Sequence, residues 1–114
     1  KVETFYTTLG VSKHLIKFGI PKNKIIELNW WENIKVDNLE LICTPTQHFS
    51  GRTLLDRDKT LWSSWVIKSS KLTLFFGADS GYFKGFKEIG EKYGPFDMTF
   101  LEVGAYNEKW KDWH

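Results

Sequence analysis

At 114 residues, with 41% hydrophobic and 26% charged positions, the chain has room for one domain and not for two of ordinary size, and its composition argues against disorder. A formal net charge of +2, with lysines spread rather than clustered, argues against the basic stripe of a nucleic-acid-binding surface. Aromatic residues reach 17%, six of them tryptophan, an excess that is expected to line a pocket as well as a core.

In chain order, "VETFYTT" is β-branched and aromatic and predicts a strand. "GVSKHLIKFGIP" predicts a helix, with Ser12 as N-cap, an apolar side of Leu15, Ile16 and Phe18, and a stop at Gly19 and Pro21. "KIIEL" predicts a second strand, and after the bulky "NWWENI" a third runs from Val36 to Thr44, with Leu39 and Leu41 on one face. Its closing "LICT" is apolar throughout, as in a strand covered on both sides. Residues 49–60, "FSGRTLLDRDKT", predict a polar loop. "LWSSWVIK" and "KLTLFF" predict a strand pair in which Leu72, Leu74 and Phe76 alternate onto one face. "GYFKGFKEIGEKYG" predicts a helix from the recurrence of Tyr82, Phe86, Ile89 and Tyr93, ended by Gly94-Pro95. "FDMTFLEV" predicts the last strand, and "GAYNEKWKDWH" a loop.

The order β-α-β-β-β-β-α-β gives an α/β protein with a mixed sheet of five or six strands. Two helices cannot cover both faces of such a sheet, so one face is expected to bury itself against another layer. The chain begins inside a strand and stops after an aromatic-rich turn, which reads as part of a larger protein. The lone cysteine, Cys43, excludes an intrachain disulfide and fits a reducing compartment. No apolar run approaches the ~18 residues of a transmembrane helix.

His48, in "TPTQHFSGR", and Asp79, in "LFFGADSGY", occupy equivalent places: each follows a strand and precedes a glycine-containing turn. Ligands bind at the carboxyl ends of strands in α/β folds, and imidazole with carboxylate suits zinc, manganese or iron. Taken singly, His48 reads as a hydrogen-bonded turn residue and Asp79 as the N-cap of the helix that follows. His114 is terminal and carries no meaning alone, and His14 lies in the first helix as a surface residue. Ser50, Ser63, Ser64 and Ser80 lack the G-x-S-x-G context of a serine hydrolase.

The strings "PTQHFSGRTLLDRDKTLWSSWVI", "LFFGADSGYF" and "EIGEKYGPFDMTFLEVGAYNEKWKDWH" together resemble the metallo-β-lactamase superfamily. Within it, the likeness is to the branch of N-acyl-phosphatidylethanolamine-hydrolysing phospholipase D and the ascorbate-lactonase-like bacterial hydrolases. The resemblance implies part of a four-layer αββα sandwich with one or two divalent metal ions, zinc first and manganese or iron as alternatives, at the edge between two sheets. Carried over by motif, His48 is the lone histidine ligand, Asp79 the bridging aspartate and His114 the last histidine. The family's H-x-H-x-D-H motif is absent from the sequence, so residues 1–114 are expected to be a partial domain lacking that N-terminal half.

The implied reaction is attack by a metal-bound hydroxide on a phosphodiester, lactone or other ester, with His48 and Asp79 as catalytic metal ligands. Arg52, Tyr82 and Tyr106 are the candidate substrate-binding residues. Phe49, Trp62 and Trp65 are candidates for the same aromatic wall, although Trp62 and Trp65 suit a core equally well. Arg57 is expected to pair with Asp56 or Asp58 instead. The implied partners are a small-molecule or lipid-like ester and the missing half of the fold, without nucleic acid or stable membrane insertion, in the cytoplasm. With three ligands for two ions, the chain alone is expected to be inactive. The rival reading is a non-catalytic binding or structural module that has lost its metal site.

Overall fold

A computed structural model describes residues 2–48 and 60–104. The first strands, β1 (Phe5–Thr8) and β2 (Ile25–Leu28), are connected through helix α1 (Ser12–Lys17) and pair in parallel, from Phe5 opposite Ile25 to Thr8 opposite Leu28. A parallel pair needs such a crossover because its ends lie at opposite edges. The expected cap at Ser12 is corrected: Val11 holds the N-cap position and no side chain on α1 caps it. The Ser12 N–H instead donates to Glu27 Oε1 at 2.8 Å, so β2 supplies the acceptor that the helix end lacks. Burial raises the Glu27 pKa, but the Ser12 N–H and hydroxyl, the Gly10 backbone and the Lys13 charge outweigh it and hold the carboxyl below its usual range.

The remaining strands, β3 (Asn33–Val36), β4 (Leu39–Pro45), β5 (Ser63–Lys68), β6 (Thr73–Phe76) and β7 (Met98–Phe100), form one sheet in chain order. β3 to β6 are antiparallel neighbours, and β7 joins parallel to β6 after the crossover through helix α2 (Gly85–Tyr93). The α/β class with a mixed sheet is as expected. The single large sheet is not: among the described residues the strands divide into a pair and a sheet of five. The strand expected from Val36 is half of a hairpin. Asp37, at φ 51°, turns β3 into β4, a left-handed conformation that aspartate tolerates.

Cross-strand partners share a face, so the register sorts the sheet into two surfaces. Ile42, Val66 and Phe75 lie opposite one another in turn and bury against Ile89 of α2. Phe86 meets the Phe75 ring edge-on at 6.0 Å, and Phe96 stacks on it at 5.4 Å. The other surface carries Leu41, Cys43, Trp65, Ile67, Leu74, Phe76, Met98 and Phe100 by the same register. Phe76, Met98 and Phe100 are exposed there. The expected alternation of Leu72, Leu74 and Phe76 therefore marks the surface away from α2, and Phe75 between them is the core residue.

The strand pair is tied to the large sheet near its carboxyl edge. Thr8 Oγ1 donates to Leu61 O at 2.7 Å, Leu61 N–H to Leu9 O at 2.9 Å, and Trp30 Nε1 to Trp62 O at 2.7 Å. Trp31 N–H donates to Cys43 O and Cys43 N–H to Glu32 O, so two residues face one as in a β-bulge. Trp31 takes the left-handed position there, at φ 70°, where glycine is usual. Its ring is stacked on Tyr93 at 6.4 Å with Lys92 Nζ 3.9 Å from its centre, contacts that offset the strain and fasten α2 to the bulge.

Cys43 is fully buried, its Sγ directed at Leu28 O at 3.9 Å. Burial pushes its thiol up to about 11, assisted by the Glu32 charge and opposed by a hydrogen bond with Ser63. Two consequences are expected. Iodoacetamide at pH 8 alkylates Cys43 in the folded protein at least a hundredfold more slowly than in urea, because both thiolate and access are missing. Stability from this group is complete below pH 9, where folded and unfolded thiols are both protonated, and is lost as the pH rises towards about 11, since the unfolded thiol ionises first.

Candidate functional site

β4 and β6 run in the same direction with β5 between them, so at sheet spacing they stand roughly 10 Å apart. β5 begins at Ser63, opposite Pro45, and beyond that point no described strand lies between β4 and β6. Their extensions close on each other there: Gln47 and Gly81 form an isolated antiparallel bridge, with Gly81 N–H donating to Gln47 O at 2.9 Å. His48 follows Gln47, and Asp79 precedes Gly81 by two residues. Their side chains meet, Nε2 to Oδ2, at 3.1 Å.

The Asp79 turn is held by local backbone constraints. Gly77 donates its N–H to Phe100 O at 2.8 Å, and a Cβ at Gly77 would sit 3.1 Å from that oxygen and from Leu101 Cδ2. Ala78 then adopts φ 55°, a left-handed conformation uncommon for alanine, which swings Asp79 out of the line of β6. The expectation that Asp79 caps a helix is corrected, because α2 starts at Gly85 with Lys84 at its N-cap position. Tyr82, expected on that helix, precedes it and is 88% exposed.

His48 is 18% exposed at its side chain and Asp79 63%, so the pair is open on the carboxylate side. Two donors bound to one ion at about 2.0–2.2 Å and at the tetrahedral angle stand about 3.3 Å apart. The observed 3.1 Å is close to that separation, and it is also the distance of a direct N–H···O contact between ring and carboxylate. No group of three or more His, Cys, Asp and Glu side chains is assembled among the described residues. His114, Arg52 and Tyr106, with Phe49 and Arg57, lie outside the described residues. Trp62 meets Trp30 edge-on at 6.2 Å, and Trp65 pairs with Cys43 inside the sheet.

Beside the Asp79 turn lies a cavity of about 180 Å³, lined by Ala78, Ser80, Tyr82, Phe86, Leu101 and Glu102. A second hollow, shared by Phe76, Ala78, Asp79, Phe100, Leu101 and Glu102, continues from it. Glu102 accepts a hydrogen bond from Gly104 N–H. Sequence reasoning misses Glu102, and it misses Ser80, whose hydroxyl accepts from Gln47 N–H at 3.1 Å. A serine in a turn carries no signal of its own, and only the bridge between the two loops reveals it.

The family described as "Beta-lactamase superfamily domain" matches residues 1–114. An uncharacterised protein of Mycobacterium tuberculosis (strain ATCC 25618 / H37Rv) is 46% identical over 110 residues, covering 96% of this chain and 29% of that protein. N-acyl-phosphatidylethanolamine-hydrolyzing phospholipase D 1 of Caenorhabditis elegans is 37% identical over 114 residues, covering 93% and 32%. A UPF0173 metal-dependent hydrolase of Pyrobaculum aerophilum is 30% identical over 105 residues, covering 91% and 41%. The metallo-beta-lactamase fold protein YhfI of Bacillus subtilis superposes with a TM-score of 0.53 at 12% identity, covering 86% and 53%, a likeness of fold alone. The chain thus spans about a third of the length of the first two of these relatives.

Proposed function

The chain belongs to the beta-lactamase superfamily domain family, and from that premise we propose that it carries part of the metal site of a hydrolase acting on a phosphodiester, lactone or other ester. The observation that carries this reading is the convergence of His48 Nε2 and Asp79 Oδ2 to 3.1 Å at the carboxyl edge of the sheet. The relatives reported as metal-dependent hydrolase and as phospholipase D support the reaction class. His114 is the third ligand in this proposal, and zinc the first choice of metal, since imidazole and carboxylate together suit it.

A divalent ion held by His48 and Asp79 would supply Lewis-acid chemistry for ester hydrolysis near neutral pH. The residues of this chain do the rest. Asp79 offers two oxygens and a negative charge that lessens repulsion between neighbouring cations. His48, the more enclosed of the two, offers its Nε2. Tyr82 presents its hydroxyl to the substrate beside the cavity, whose Phe86 and Leu101 accept an acyl or lipid-like portion. Arg52 and Tyr106 complete the substrate contacts, Arg52 by pairing with a phosphate or carboxylate.

The same proposal gives the sheet surface of Leu74, Phe76, Met98 and Phe100 its cover: the other half of an αββα sandwich, bringing the remaining ligands. What supports it is the extent of exposed apolar area on an otherwise ordinary sheet. No described helix is long and apolar enough to cross a membrane. We place the protein in the cytoplasm, where its buried free thiol suits the reducing conditions.

The test is elemental analysis of the full-length protein, combined with a panel of lactones and bis(p-nitrophenyl) phosphate. Stoichiometric zinc, manganese or iron and turnover abolished by a chelator are expected, with no turnover by the 114-residue chain alone. A metal-free full-length protein, inactive on the whole panel after metal addition, would count for the non-catalytic module.

A further inference from the structure

Ser80 touches neither a reacting group nor, in any contact described above, the side chains of His48 and Asp79. It nevertheless sits where the two loops carrying them are joined. Gln47 N–H donates to Ser80 Oγ at 3.1 Å, Ser80 Oγ–H donates to Gly81 O at 2.9 Å, and Gly81 N–H donates to Gln47 O at 2.9 Å. Both backbone polar groups of the residue before His48 are therefore held by the two residues after Asp79. β5 gives no help at this level, because its pairing with β4 ends at Pro45 and Ser63. We propose that Ser80 is a positioning residue: its hydroxyl, acting with the Gln47–Gly81 bridge, holds the His48 and Asp79 donor atoms at a separation that one divalent cation accepts.

The physical argument concerns order before binding. Without the hydroxyl, the Gln47 N–H, which lies at an exposed position, is satisfied by water, so folding changes little. The bridge then rests on one backbone hydrogen bond, and the two loops gain freedom that metal binding must remove again. Groups outside the ligand set that orient ligands in this way contribute about 10- to 100-fold to metal affinity. Ser80 acts through the backbone rather than on a ligand side chain, so about tenfold, the lower end, is expected.

This inference rests on the metal reading of the site, and its test separates the two. Ser80→Thr keeps the hydroxyl, while Ser80→Val has nearly the same shape without it, so any penalty of branching at this position is shared. Cobalt(II) titration of the full-length protein, followed by the visible absorption of the bound ion, reads affinity independently of turnover. Wild type and Ser80→Thr are expected to bind alike and Ser80→Val about tenfold more weakly, with thermal midpoints of the two variants within a few degrees of each other. Equal affinity of Ser80→Thr and Ser80→Val overturns the positioning role while leaving the metal site standing. Absence of cobalt binding by the wild type overturns the metal reading, and the role of Ser80 falls with it.

Discussion

Asp79→Asn in the full-length protein is expected to lower kcat/KM on a simple phosphodiester or lactone by about a thousandfold, with the folded state intact. Asparagine preserves the shape of the side chain and removes the charge and one of the two oxygens offered to metal. Loss of Lewis-acid stabilisation amounts to several kcal/mol of the barrier, and each 1.4 kcal/mol is about tenfold in rate. Folding is expected to be spared because the Asp79 side chain is 63% exposed, and its contact with His48 at that exposure is worth little to stability. His48→Ala is expected to lose activity to a similar degree with a somewhat larger drop in thermal midpoint, its ring being the more enclosed of the two. Kinetics and thermal denaturation of the same preparations check both statements. Activity of Asp79→Asn within tenfold of wild type would remove Asp79 from the chemistry.

The largest expected effect on stability belongs to Phe75→Ala, at about 3–5 kcal/mol by chemical denaturation. Phe75 stands at the middle of the sheet, opposite Val66 on one side and Thr99 on the other, with Ile89 in the same buried cluster and the rings of Phe86 and Phe96 against it. Truncation leaves a cavity that helix and sheet cannot both collapse into. Phe76→Ala, one residue along the same strand, makes an informative companion. Its ring lies on the opposite surface and is exposed in this chain, so the cost in the isolated chain is expected to be below about 1 kcal/mol. In the full-length protein the cost rises to several kcal/mol if the proposed second half covers that surface. An equally small cost in both settings would leave the surface without that partner.

The elements with strong periodicity were legible from sequence: β4, β5 and β6, both helices, and the mixed sheet follow from runs such as "LICT", "WVIK" and "LTLFF". The hairpin strand β3 was not, because "NIKV" alternates polar and apolar over only four residues and follows a bulge built on two tryptophans. The Ser12 cap failed for a tertiary reason, since the Glu27 carboxylate on a neighbouring strand takes both the N–H and the hydroxyl of Ser12. For the site, the placement of His48 and Asp79 at two strand ends was readable, and their use for metal was an expectation taken from the resemblance. Their meeting was implied by the resemblance alone and by no residue pattern. It depends on where β5 begins and on a bridge of backbone atoms, neither of which has a residue signature. Tyr82 was assigned to a helix by its spacing, although the chain reaches it before the helix starts.

The early end of β5 has one more consequence, for how this scaffold tolerates change. In most sheets, lengthening a strand by a residue pair is a conservative edit that extends the ladder. Here, two more paired residues ahead of Ser63 would act as a spacer, keeping the extensions of β4 and β6 at their regular separation and prising Gln47 from Gly81. Added pairing at this strand end is therefore expected to part His48 from Asp79 and to shift Leu61 and Trp62, which tie the strand pair to the sheet, while the opposite end of β5, where Ser69 and Leu72 close the turn into β6, lies away from these contacts.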